Sequence, residues 1–216
     1  MYIDNIPNVW YNIYIINLEE IIMSTKDILI QEASKQFLKK GYEKTSINDI
    51  TAACNITKGA FYHHFNNKDE IFMIVFDNIC AEIKEWYLNR LKNKSSIEQF
   101  IKSFFNYDQY IKNSNFFKNI NVNIYTVIAD GVRRFPELKS KIYTALYSIL
   151  PIFKQRIKTA QKQGVLKEDF DPEVFAFIII NLIEGGMFIS TLTGDNVSID
   201  NKCEMVANTI WNLIKK

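Results

Sequence analysis

The chain has only two histidines and three cysteines in 216 residues, and this scarcity excludes much chemistry. His63 and His64 are adjacent, so on a helix they point about 100° apart and cannot close on one metal ion. Cys54, Cys80 and Cys203 are scattered, odd in number and without CxxC spacing, which argues against a zinc site or a disulfide framework and for a reducing cytoplasm. There is no Gly-rich phosphate loop, and two neighbouring imidazoles cannot supply a nucleophile, a base and an orienting group. An all-α enzyme is the weakest of the readings on that ground, and no metal or cofactor is expected. Alternating apolar patterns of useful length are also missing, so the class is all-α.

Charge is nearly balanced at +2, which alone is a weak argument for a polyanionic partner. It is uneven, however. Between Ser24 and Lys68 seven lysines face four acids, a local surplus of +3.

Within that stretch, Thr45 to Glu70 carries the start signals of two short helices and a third. Ser46 is an N-cap with Asp49 three residues on, and Ile47, Ile50 and Ala53 share a face, which predicts a helix over roughly Ile47–Cys54. Asn55 suits the left-handed backbone of a tight turn. Thr57 then caps a helix whose buried side is set by Phe61 and Phe65. Thr57, Lys58, Tyr62, His63 and His64 are left near the outer surface, a set of hydrogen-bond donors with one fixed cation and almost no negative charge, suited to phosphates and base edges. Gly59 costs about 1 kcal/mol of helix propensity, and close approach to a sugar-phosphate chain explains a bare backbone there. The pattern reads as a helix-turn-helix for double-stranded DNA.

The same residues carry a family resemblance. An apolar-periodic helix, Gly41-Tyr42, Thr45-Ser46-Ile47, Lys58-Gly59, Tyr62-His63-His64-Phe65 and Lys68-Asp69-Glu70 follow one another in an order and spacing that resembles the tetracycline-repressor (TetR) family of transcription regulators, over about Lys26 to Phe72. The resemblance implies a homodimer with an N-terminal three-helix DNA-binding head and a C-terminal helical domain that binds a small inducer. Its phosphate and base contacts fall on Thr45 or Ser46, Thr57, Lys58, Gly59, Phe61, Tyr62, His63, His64 and Lys68. Ala60 and Phe61 stand where Thr and Leu are common, so a hydroxyl contact at Ala60 is lost and specificity should differ. Repressor and activator share this head chemistry, so an activating or ligand-independent regulator is the alternative.

At 48% hydrophobic the chain can hold a small head, residues 24–70, and a larger helical ligand-binding and dimerisation domain, residues 71–216. Asn67 caps a long helix to about Lys92. Ser95 or Ser96 starts another with Ile97, Phe100, Ile101, Phe104 and Phe105 at helical spacing. Further helices are expected over about Phe116–Ala129, over Pro136–Gln163 with a kink or break at Pro151 and Gly164 as C-cap, from Asp171-Pro172 to Gly194, and over Ser198–Lys215. Val174–Leu192 is apolar almost all round, but Asn181 and Glu184 near its middle argue against lipid, where an acid costs about 2.5 to 3.5 kcal/mol. A helix packed on its own core and on a second subunit is the better account, and the family places its dimer interface on the last two long helices. Aromatic residues are frequent between Trp86 and Phe153, and an apolar inducer pocket drawing on Trp86, Phe104, Tyr107, Tyr125 and Tyr147 is expected.

Residues 1–23 form an extension that lacks any Lys or Arg before position 23, unlike a signal peptide. Met23 begins MSTKDIL, with Ser24 and Asp27 set as a capping box, and Glu19-Glu20 matches a translated purine-rich ribosome-binding site. Translation is therefore expected to start at Met23; mass spectrometry of the protein from its native host tests this, and a peptide spanning Tyr2 to Ile22 overturns it.

Overall fold

Polar caps divide the N-terminal part into short helices. The computed structural model describes residues 23–92, 96–105, 124–193 and 197–216. Helix α1 is Thr25–Lys40, α2 Ile47–Ala53, α3 Lys58–His64 and α4 Lys68–Lys92. Ser24 accepts from the Asp27 amide at the start of α1, and Gly41, at φ 78°, ends it in a left-handed conformation that suits glycine. Ser46 and Asp49 form a reciprocal capping box at α2. The two backbone and side-chain bonds from Ser46, with Lys40 at 3.0 Å, hold the Asp49 carboxyl at about 2. Because that value is depressed, the cap's contribution is complete above the ordinary carboxylate range and is lost as pH falls towards 2. Asn55, at φ 54°, makes the left-handed turn that separates α2 from α3.

The head's core is aromatic. Phe37 meets Phe72 edge-on at 5.0 Å, Tyr42 meets Phe72 at 4.8 Å, and Phe61 lies 5.4 Å from Phe65. All five rings are buried.

The backbone separates into two compact units, one ending at Val75 and the other running Phe76–Lys216, so the division falls within α4. The second unit continues with α5 Ile97–Ser103, α6 Ile124–Arg134, α7 Leu138–Tyr147, α8 Leu150–Lys162, α9 Pro172–Thr193 and α10 Val197–Ile214. No strand occurs among the described residues, only an isolated antiparallel bridge between Leu166 and Lys215. Lys167 donates its amide to Ile214 O and Lys216 to Val165 O, tying the turn after α8 to the end of α10.

Three departures from the expected helix limits have local causes. The break near Pro151 comes earlier, at Ser148 and Ile149, which leaves Pro151 inside the first turn of α8 where its missing N–H costs nothing. Phe104 and Phe105 lie in a turn just beyond α5. Helix α6 runs on through Gly131 to Arg134 rather than stopping at Ala129, while the expected start at Phe116 lies outside the described residues. Gly131 is needed for packing: a Cβ there would stand 2.6 Å from Phe76 Cε2 and 3.4 Å from Leu138 Cδ1.

Helix α9 buries Ala176, Ile179, Ile180 and Ile183 on one side and exposes Val174, Phe177, Ile178, Leu182 and Ile189 on the other. By length and composition it is apolar enough to cross a membrane, with a mean hydropathy of 1.6 over Pro172–Ile189.

Gly131→Ala is expected to destabilise the protein by about 1 to 3 kcal/mol, because the new methyl overpacks the buried Phe76 ring by more than the gain in helix propensity returns. Urea unfolding checks this, and an unchanged or raised midpoint contradicts it.

Candidate nucleic-acid interface and ligand cavity

Helix α3 is seven residues long, about 10 Å at 1.5 Å per residue, and fits a major groove about 12 Å wide. It is held at both ends. Thr57 Oγ1 accepts the Ala60 amide at 3.2 Å, and Phe65 returns its amide to Phe61 O at 2.9 Å. Phe61 is fully buried, which fixes the helix's rotation and turns Lys58, Gly59, Tyr62 and His63 outward. Tyr62 is 55% exposed, with its ring edge-on to Phe61. His64 is half-buried and its ring lies 5.1 Å from that of His63. Gly59 meets only Thr57 Oγ1, at 3.8 Å from where a Cβ would sit, so nothing in the chain itself demands glycine there.

The other residues expected at the interface take different places. Thr45 is buried and donates its hydroxyl to Gly41 O at 2.8 Å. Ser46 is exposed, with its hydroxyl and amide engaged by Asp49. Lys68 donates to Tyr42 O and Thr45 O, both at 2.9 Å, and its ammonium stands 3.9 Å from the Tyr42 ring centroid. Tyr42 in turn donates to Asp69. Lys68 thus clamps the loop before α2 to the start of α4.

In the second unit, α4, α6, α7 and α9 line a partly open cavity of about 190 Å³. Among the described residues its wall is apolar apart from Glu184 and the polar tips of Trp86, Tyr87 and Tyr125. Ile83, Trp86, Tyr87, Ile124, Tyr125, Ile128, Ile142, Leu146 and Met187 surround Glu184. Tyr87 donates to Glu184 Oε1 at 2.5 Å and Tyr125 to Oε2 at 3.0 Å. Burial raises the Glu184 carboxyl above its ordinary range, and the bonds from Tyr87 and Tyr125 oppose that rise.

Of the aromatic residues expected in a pocket, Trp86 and Tyr125 line this cavity. Phe104 is core, stacked on Phe153 at 5.0 Å. Tyr147 stacks on Phe177 and donates to Asn181, and Tyr107 lies outside the described residues. Tyr87, one of the aromatic residues of that stretch though not among the five expected, and Glu184 also line the cavity. The available signal was the acid in the middle of an apolar helix.

Among the described residues no cluster of His, Cys, Asp or Glu is arranged to hold a metal. Burial pushes the Cys80 thiol up to about 11 and also raises that of Cys54, so neither is an activated nucleophile.

Two family patterns match the chain: "Bacterial regulatory proteins, tetR family" over residues 29–73, and "Tetracyclin repressor-like, C-terminal domain" over residues 124–206. The first covers the helices that carry the interface, and the second begins with the helix that carries Tyr125. The chain belongs to the TetR family of transcription regulators. As a TetR-family member it is a DNA-binding regulator of transcription and not an enzyme. An uncharacterized HTH-type transcriptional regulator of Bacillus subtilis, YhgD, is 25% identical over 73% of this chain and 79% of its own length. The negative transcriptional regulator of the biofilm operon icaADBC in Staphylococcus epidermidis is 35% identical over 40% of this chain, and the chain spans half the length of that relative. A transcriptional regulator from Saccharomonospora viridis, solved in complex with choline, shares the fold at a TM-score of 0.69 and 17% identity, over 88% of this chain and 97% of that one.

Proposed function

We propose that this TetR-family regulator is a cytoplasmic homodimeric repressor that leaves its operator when a small molecule enters the cavity bounded by Glu184. The observation that carries the DNA-contact assignment is the outer face of α3. Lys58, Gly59, Tyr62 and His63 are exposed together on a helix whose opposite side is anchored by Phe61, and Gly59 has no reason within the chain to lack a side chain. Approach of a DNA backbone supplies that reason. Thr57 and His64 flank the face and complete the contact set, while Thr45, Phe61 and Lys68 act from within by holding it in place.

The exposed apolar side of α9 supports dimerisation, since Val174, Phe177, Ile178, Leu182 and Ile189 form a row that water does not favour. Two heads then place their α3 helices in successive major grooves about 34 to 36 Å apart on a near-palindromic operator. The Staphylococcus epidermidis relative is a negative regulator, which favours repression. The structural neighbour from Saccharomonospora viridis was solved in complex with choline, which favours a small-molecule ligand. Helix α4 begins with the Lys68 clamp and later lends Ile83, Trp86 and Tyr87 to the cavity wall. A ligand that prefers one position of α4 shifts operator affinity by its differential affinity for the two states and by no more.

Footprinting on fragments of the native genome in moderate salt tests the assignment with three variants. Tyr62→Ala and Lys58→Ala should weaken operator binding with little change in melting temperature. Phe61→Ala should lose both binding and stability, the latter by about 3 to 5 kcal/mol. If Tyr62→Ala and Lys58→Ala protect the operator as the parent does, the α3 face is not the contact surface.

A further inference from the structure

Glu184 is the single ionisable acid on the described wall of the cavity, and no lysine, arginine or histidine faces it there. A carboxyl group removed from water persists only where something compensates it. Here the compensation is two phenol hydroxyls, one donated to each oxygen. An ionised carboxylate offers about four acceptor positions, so both oxygens retain capacity for a further partner. Tyr125 Oη also stands 3.3 Å from Glu184 O, and a phenol oxygen can accept as well as donate, so the two phenols can serve the neutral acid as well as the carboxylate, and a cation beside them favours the ionised form. Arg90, which lies over the Trp86 ring at 3.7 Å, gives its guanidinium to Trp86 O and Ser103 O.

The remaining wall suits the same charge. Trp86, Tyr87 and Tyr125 line the space around the acid, and aromatic faces attract organic cations electrostatically. The cavity measures about 190 Å³, somewhat more than the 150 Å³ or so that accepts benzene, so it has room for a benzene ring with a small substituent. We infer that this cavity selects a small lipophilic organic cation, an amine or a quaternary ammonium with an apolar body, whose charge is met by Glu184 while Tyr87 and Tyr125 hold the carboxylate in place. This rests on reading the cavity as the ligand site, and it adds the ligand's charge and size.

The test compares two probes of nearly the same shape on the full chain by calorimetric titration: phenyltrimethylammonium and its uncharged counterpart tert-butylbenzene. The cation should bind at least about tenfold more tightly than the neutral compound. In Glu184→Gln that preference should collapse, with cation affinity falling at least about tenfold and the neutral compound little affected. Equal binding of the two probes by the native chain, preference for the neutral one, or no binding of the cation overturns the inference without reference to any variant, so a misfolded Glu184→Gln does not shelter it. A folded Glu184→Gln that keeps the preference overturns the role of the acid. Footprinting the same preparation keeps the two readings apart. An intact footprint beside failed cation binding removes the ligand class alone, whereas confirmed cation binding beside an absent footprint removes the repressor reading and leaves the ligand class standing.

Discussion

A helix of seven residues cannot sustain itself in water, because the cost of nucleating a turn is recovered only over a dozen residues or more. Both α2 and α3 are that short, so the surface this protein presents depends on caps and side-chain packing beyond the helices' own backbone bonds. Ser46, Asp49 and Thr57 satisfy their first amides, and Phe61 and Phe65 bury one side. The Lys68 ammonium, shared between Tyr42 O and Thr45 O, fixes the approach to α2 from the start of α4. A cation bonded to two carbonyls and set against an aromatic ring is well compensated for its partial burial. Once those anchors are in place, the outward direction of Lys58, Tyr62 and His63 follows from helical geometry.

The second unit puts two demands on α9. One side supplies Ile179, Ile180 and Ile183 to the core, another leaves Phe177, Ile178 and Leu182 in water, and between them Glu184 reaches the cavity. Asn181 serves the outer part, accepting from Tyr147 and donating to Phe177 O. A helix with so little polar surface would otherwise resemble a membrane span. The two polar side chains near its middle, Asn181 and Glu184, are bonded to tyrosines, which is how polar groups are accommodated within an apolar element of a packed domain.

Much of the head was legible because its signals are local. A cap reaches only three residues along the chain, so Ser24, Ser46, Thr57 and Asn67 could be read directly, and the left-handed turn at Asn55 follows from one residue's tolerance. Thr45 and Phe61, which the resemblance places among the DNA contacts, are both buried: Thr45 is bonded to Gly41 O four residues back, and Phe61 lies on the inner side of α3 that its spacing with Phe65 marks. The cavity was hardest to foresee because its wall is assembled from four helices separated by up to about a hundred residues. Abundance of aromatics suggested a pocket without distinguishing Trp86 and Tyr125 from Phe104, whose ring is spent on Phe153 and Phe100. Gly131 misled in the other direction, since a glycine that looks like a helix end is there to admit the Phe76 ring.

The most direct test of the central claim is the crystal structure of the full chain bound to the operator that footprinting defines. The account predicts α3 in the major groove, with Lys58 and Tyr62 against the DNA, the backbone of Gly59 close to a phosphate or sugar, and the Lys68 bonds to Tyr42 and Thr45 intact. A groove occupied by another element, or an α3 whose outer face stays in solvent, would contradict it.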